Sequence, residues 1–184
     1  PSQRCPGRIF GPGMELEDMI PYNGKKTGKG EADMATLILY ESFHHGNTRK
    51  VAEVLAEELG ADLDNINEAH SLDLAPYDLV GIGSGVFHGS LHPAVLALAQ
   101  REALAGKKVF LYSTSGTGRI KYHREACRIF SSRGIALVGE FSCRGHDTSG
   151  LWKWIGGLAK GHPDRQDLEE AREFARRLRE ETGL

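Results

Sequence analysis

Cysteine is scarce in this sequence, and no CxxC pair is present. The three that occur, Cys5, Cys127 and Cys143, are an odd number and are widely spaced. A disulfide framework is therefore excluded as the basis of the fold, and a reduced, cytoplasmic setting is the simplest expectation. No apolar run approaches the length of a membrane span, and the N-terminal residues lack the apolar core of a secretion signal. Neither charge sign dominates. The 23 lysines and arginines face 25 aspartates and glutamates, for a formal net charge of -2. That balance gives no domain-wide attraction to nucleic acid. A G-x-x-x-x-G-K-[ST] run is missing, which argues against a P-loop NTPase. So is a G-x-S-x-G elbow, which argues against a serine hydrolase.

What the chain has in quantity is glycine, 23 residues in 184, clustered where apolar strands end. Residues 36–48 carry the most information: Thr-Leu-Ile-Leu-Tyr-Glu-Ser-Phe-His-His-Gly-Asn-Thr. A short apolar strand runs into a polar turn, and the turn opens an amphipathic helix. A helix N-terminus presents N–H groups with no intrahelical acceptor and the positive end of the helix dipole, which suits a phosphate. Gly46 lets backbone approach a ligand closely, and Ser42, Asn47 and Thr48 add side-chain donors. A solvated loop with an ordinary helix cap is the plainer alternative.

Beyond this stretch, strands and helices alternate. Strands are expected at Thr36–Glu41, weakly at Ala61–Ile66, at Tyr77–Ser84, Lys108–Thr114 and Ile135–Ser142. Helices are expected from Asn47 to Leu59, from Pro93 to about Glu102, from about Arg119 to Ser132, and from near Asp164 onward. Five strands alternating with helices predict an α/β fold with a parallel sheet covered on both faces. In such sheets ligands bind beyond the carboxyl ends of the strands, where strand order reverses. The polar, glycine-bearing segments Ser42–Thr48, Gly83–Ser90, Ser113–Gly118 and Cys143–Gly150 all follow strands, so four loops are expected to meet at one edge. Residues 1–33 differ from the rest. They hold four of the seven prolines and the cluster Lys25, Lys26 and Lys29, without a hydrophobic period. They read as a disordered extension or added segment ahead of a domain spanning 34–184, with Met34 or Met14 as natural starts.

With these residues in view, the chain resembles the flavodoxin family from about Met34 to its end. Gly46-Asn47-Thr48 resembles the phosphate loop for FMN. Tyr77–Ser84 resembles the third strand and its exit, Gly106–Gly116 the fourth, and Gly161–Asp164 with Asp167-Leu168 the approach to the last helix. The resemblance implies a three-layer α/β/α sandwich, a five-stranded parallel sheet in the order 2-1-3-4-5, and FMN at the switch point; flavodoxin is a standing example of that rule. The family's phosphate loop reads Ser/Thr-x-Thr-Gly-x-Thr. Here three residues, not two, separate Ser42 from Gly46, and His44 and His45 stand where a threonine is expected. An imidazole can still donate to phosphate, with affinity weakening as pH rises through its pKa. Gly85, Val86, Phe87 and His88 on one side, and Ser113, Thr114, Ser115 and Gly116 on the other, are the expected flavin-ring contacts, with Phe87 or His88 as the stacking wall.

Several other features have plainer readings. Gly81-x-Gly83-x-Gly85 follows the third strand at the wrong spacing for a dinucleotide fingerprint. Cys143-x-x-His146, with His88 or His123, could be drawn around zinc but lacks a second tight ligand pair. Cys127 is expected to face the core, and His92, before Pro93, to cap a helix. Trp152 and Trp154 suit a core or partner surface. His44, His45, His88, Arg119, Lys121, His123, Arg124, Arg144 and His146 make the expected ligand edge basic against Glu41, Glu125 and Asp147. Positive surroundings favour an anionic reduced flavin and a less strongly reducing potential. The implied function is electron transfer through noncovalent FMN, with no side chain acting as acid, base or nucleophile. The alternatives are an FMN-dependent NAD(P)H or quinone oxidoreductase and a flavin-free regulatory or partner-binding domain. The partner is a redox protein or NAD(P)H, and the oligomeric state is open.

Overall fold

The computed structural model describes residues 34–42, 46–67, 73–148 and 156–184. Six strands and four helices follow one another: β1 (Thr36–Glu41), α1 (Asn47–Leu59), β2 (Asp62–Asn65), β3 (Leu79–Phe87), β4 (Ser90–Leu91), α2 (Pro93–Ala99), β5 (Lys108–Ser115), α3 (Arg124–Ser132), β6 (Ala136–Arg144) and α4 (Arg165–Thr182). The sheet runs β2-β1-β3-β5-β6, parallel throughout, with β4 antiparallel to β3 at the edge. Counting only the five parallel strands, this is the expected order 2-1-3-4-5. Residues 1–33 lie outside the described residues.

Strand alternation builds two cores. Ile38, Phe110, Tyr112 and Phe141 point to one face, where Val51, Leu55 and Leu59 of α1 and Leu168, Phe174 and Leu178 of α4 cover them. Leu37, Leu39, Ile82, Val109 and Leu111 point to the other, under Val95 and Leu98 of α2 and Ala126 and Phe130 of α3. Each fully buried aliphatic or aromatic side chain contributes about 1.5–3 kcal/mol. The glycines of β3 belong to this packing. A Cβ at residue 81 would lie 2.2 Å from Phe110 Cζ, and one at residue 83 would lie 2.3 Å from Tyr112 Cε2. The Gly-x-Gly spacing is thus a pair of slots for two rings on β5. Tyr112 also crosses the core to donate its hydroxyl to the Leu39 carbonyl at 2.9 Å.

The largest differences from the expected boundaries are at the end of β3 and around α2 and α3. β3 continues to Phe87 rather than ending at Ser84. Its neighbours stop earlier, since Glu41 pairs with Ser84 and Thr114 with Gly85. The overhanging Val86 and Phe87 obtain partners by folding back through a two-residue turn onto Leu91 and Ser90. His88 (φ 49) and Gly89 (φ 83) supply the two left-handed residues that such a hairpin turn needs. The helix expected from Arg119 begins instead as a 3-10 turn, Ile120–His123, before α3. The helix from Pro93 ends at Ala99, and residues to Glu102 enter a separate 3-10 turn, Glu102–Leu104.

Candidate functional site

The loops after β1, β5 and β6 are bonded together at the carboxyl edge of the sheet. Thr48, in the first turn of α1, shares a 2.9 Å hydrogen bond with Thr114 at the end of β5. Asn47 donates its side-chain amide to the His146 carbonyl at 2.9 Å, just past β6. Gly145 fits between them; a Cβ there would lie 3.0 Å from Thr114 Cβ and 3.1 Å from Asn47 Nδ2. Both side chains are buried. Asn47 and Thr48 therefore serve as ties between loops, a role the sequence reading did not assign them.

The start of α1 has an anion-binding form. Its N-cap is Gly46, in the left-handed conformation and without any side-chain cap. No atom lies within 4 Å of where a Cβ on Gly46 would stand. At the exit of β1, the Ser42 hydroxyl is buried and has no hydrogen-bond partner among the described residues. Orphaned buried hydroxyls are uncommon, because each forfeits its hydration without compensation. His44 and His45 lie outside the described residues.

Glu41, expected among the acids of the ligand edge, is instead a second buried and under-satisfied group. It is 1% exposed; neither carboxylate oxygen makes a well-aligned hydrogen bond among the described residues, and the Asn67 side chain is the weak donor that faces it. Burial raises its pKa, with Asn67 opposing. His92 Nδ1 stands 3.9 Å from it. That nitrogen accepts the Ala94 N–H, so His92 is the helix cap expected of it, and burial lowers its pKa. Phe87 meets the His92 ring edge-on, with centroids 4.9 Å apart. Gly85, Val86, Phe87 and His88, the expected ring contacts, thus form a braced hairpin at the end of β3.

On the other side, Ser113 points inward. Its hydroxyl lies 2.7 Å from His123 Nε2 and 3.1 Å from Ser142 Oγ, and His123 Nδ1 lies 3.2 Å from Glu140 Oε1. Cys127 donates to the same Glu140 oxygen. His123 is completely buried. It therefore does not belong to the exposed basic edge on which the sequence reading placed it. Thr114 bonds Thr48, as above. Ser115 accepts the Gly118 N–H at both its carbonyl and its hydroxyl, closing a tight turn. Gly116 abuts Leu158.

The zinc arrangement is not formed. Cys143 is buried in the core beneath α4, and burial pushes its thiol well above the usual range. His146 instead meets the Gly156 carbonyl. Among the described residues, one other grouping has metal-ligand chemistry: His162, Asp164 and Asp167. It is the reciprocal cap of α4, in which Asp164 accepts the Asp167 N–H and Asp167 accepts the Asp164 N–H and the His162 ring. Trp152 and Trp154 lie outside the described residues.

With this geometry in hand, the chain can be compared with known proteins. The family model described as "Flavodoxin domain" matches residues 37–137. The chain belongs to the flavodoxin domain family. An uncharacterised protein of Methanocaldococcus jannaschii is 40% identical over 147 residues, covering 79% of this chain and 98% of that protein. Oxidised flavodoxin 1 from Bacillus cereus superposes with a TM-score of 0.56 at 17% identity, over 79% of this chain and 98% of its own. A flavodoxin from the domain Archaea superposes at 0.53 and 13% identity, over 82% and 100%. At these identities the two structures establish the shared flavodoxin fold.

Proposed function

We propose that this member of the flavodoxin family binds FMN noncovalently at the carboxyl edge of its sheet and works as an electron carrier. Two observations support this reading: the Ser42 hydroxyl at the exit of β1 is buried with no partner among the described residues, and the start of α1, four residues on in sequence, has no side-chain cap. A phosphate fits both: it accepts from the hydroxyl and from the first-turn N–H groups, and the helix dipole favours its charge. Ser42, Gly46 and the backbone of Asn47 and Thr48 would hold the phosphate. The β3–β4 hairpin, from Gly85 to His88, and the turn from Ser115 to Gly116 would flank the ring. FMN supplies the redox chemistry when bound, taking up and releasing electrons on its ring.

The chain's own work is positional. The Thr48–Thr114 and Asn47–His146 bonds fix the phosphate end relative to the loops after β5 and β6. The Phe87–His92 contact and the cap on α2 fix the hairpin. Held in this way, the loops need little rearrangement as charge on the cofactor changes, which favours rapid electron exchange. Electrons would arrive from a donor protein or from NAD(P)H.

A visible spectrum of the purified protein, taken with and without added FMN and then NAD(P)H, tests the reading. Flavin absorbance retained through gel filtration supports it, and a folded, colourless protein that fails to retain saturating FMN refutes it. Bleaching by NAD(P)H alone would move the assignment to an NAD(P)H oxidoreductase.

A further inference from the structure

A cavity of about 340 Å³ opens behind the turn that follows β5, lined by Gly116, Thr117, Arg119, Arg144, Leu158 and Ala159. The fold brings its two arginines together. Parallel pairing sets Arg144, the last residue of β6, beside Ser115, the last of β5. The chain then turns sharply at Gly118 (φ +60), which packs directly onto Arg144: a Cβ there would lie 3.1 Å from the Arg144 nitrogen and 3.3 Å from its Cγ. Only a residue without a side chain can seat the turn so closely on the Arg144 stem, and the next residue is Arg119. The opposite wall is also held in place. Leu158 exchanges two backbone hydrogen bonds with Asp147, at 2.8 and 2.9 Å, and its side chain fills the space that Gly116 leaves open. Ala159 holds a left-handed backbone (φ 53). For a residue with a Cβ that conformation is strained, and strain of this kind gathers at ligand sites.

The electrostatics of the cavity are one-sided. Among the described residues no carboxylate lines it, although Asp147 packs its Cβ close to Gly116. Among the described residues, neither the Arg119 nor the Arg144 side chain has a hydrogen bond or ion pair, and both residues are exposed. Two arginines line this one cavity, and the planar forks of their guanidiniums match the oxygens of a carboxylate or phosphate. The cavity is at the small end of the range for ligand sites. Leu158, Ala159 and Gly116 add an apolar wall beside the charges.

We infer that this cavity is a binding site for a small organic anion, in which Arg119 and Arg144 grip a phosphate or carboxylate and Leu158 covers an adjoining apolar group. The site shares Gly116 with the turn proposed to flank the ring, but its arginines are separate from the proposed phosphate loop, and anion binding between them does not require FMN.

The test is an NMR titration of the protein, reading the Arg119 and Arg144 side-chain Nε–Hε signals and, separately, the Gly46–Thr48 amides. Phenyl phosphate and benzoate are the probes, with benzylamine as the cationic control and sodium chloride at matched ionic strength. Saturable shifts at both arginines with either anion, tighter for phenyl phosphate than for inorganic phosphate, are expected. The tighter binder of phenyl phosphate and benzoate identifies the preferred head group. An Arg119→Gln/Arg144→Gln variant, with unchanged circular dichroism, should weaken that binding about tenfold or more. Shifts that merely follow ionic strength, that persist in the variant, or that appear only at Gly46–Thr48 overturn the inference. FMN is titrated in parallel: its failure to move Gly46–Thr48 would defeat the flavin reading and leave this site standing.

Discussion

A buried hydroxyl with no partner lowers stability unless something outside the chain satisfies it, and Ser42 is such a hydroxyl. Two results should follow from Ser42→Ala. Without ligand, the variant should be as stable as the parent or up to about 1 kcal/mol more stable, because an unmet polar group has been removed. Its FMN affinity should fall roughly 10- to 150-fold, the loss of one hydrogen bond to a charged acceptor. Flavin-fluorescence quenching measures the affinity. Riboflavin, which lacks the phosphate, serves as the control and should bind both proteins alike; an equal loss for riboflavin would mean that Ser42 does not meet the phosphate. Glu41 behaves differently, because its orphan group titrates. Its pKa in the folded state is raised, chiefly by burial. A raised acid contributes stability that is complete below its unfolded pKa and is lost as pH rises through the folded value. Urea unfolding across the acidic-to-neutral range should therefore show the parent losing stability over that window while Glu41→Gln does not. A parent curve that rises with pH relative to the variant would contradict this account of Glu41.

At the scale of elements, β3 is the most constrained segment. Gly81 and Gly83 leave space that the rings of Phe110 and Tyr112 fill, so a single methyl group has nowhere to go. Gly83→Ala should cost about 1–3 kcal/mol or more by overpacking, read as a lower urea midpoint with an unchanged slope. A midpoint within error of the parent would show that Tyr112 can move aside, at the expense of its bond to Leu39. The order of strands and helices was legible because β1, β3 and β5 carry apolar runs and the helices carry their apolar residues at 3.6-residue spacing. What escaped notice depends on neighbours that sequence does not display. β3 outlasts Ser84 only because β1 and β5 end beside it, and the need for β4 follows from that overhang. The Ser113–His123–Glu140 cluster joins residues 10 and 17 positions apart with no shared pattern, so His123 read as a surface base. Glu41 was within reach, since it alternates with the core residues Leu37 and Leu39 and period two alone turns it inward. The phosphate-loop candidate was legible from strand, glycine and helix in order, but the bonding of Asn47 and Thr48 to other loops was not.

For the molecule as a whole, charge is distributed unevenly around a near-neutral total. The formal net charge is -2, yet Arg119, Lys121, Arg124 and Arg144 are all exposed on segments at the carboxyl edge of the sheet. Arg172 and Arg176, by contrast, are paired with Glu57, Glu58 and Glu169 on the α1–α4 face. A near-neutral protein with one basic edge should attract anions to that edge at low salt and lose the preference as the Debye length falls to about 10 Å near 0.1 M. If electrons leave through this edge, the rate at which the reduced protein is oxidised by ferricyanide should fall as salt is added. The rate with a hexaamminecobalt cation should rise over the same range. Stopped-flow traces over a salt series measure both slopes. The Arg119→Gln/Arg144→Gln variant should flatten both, while the conservative Arg119→Lys/Arg144→Lys variant should retain them, because the steering depends on charge rather than on the guanidinium fork. Slopes set by the net charge alone would have the opposite signs, since a protein of net charge -2 repels ferricyanide and attracts the cobalt cation. The sign of the salt dependence therefore decides whether the basic edge or the net charge governs electron exchange.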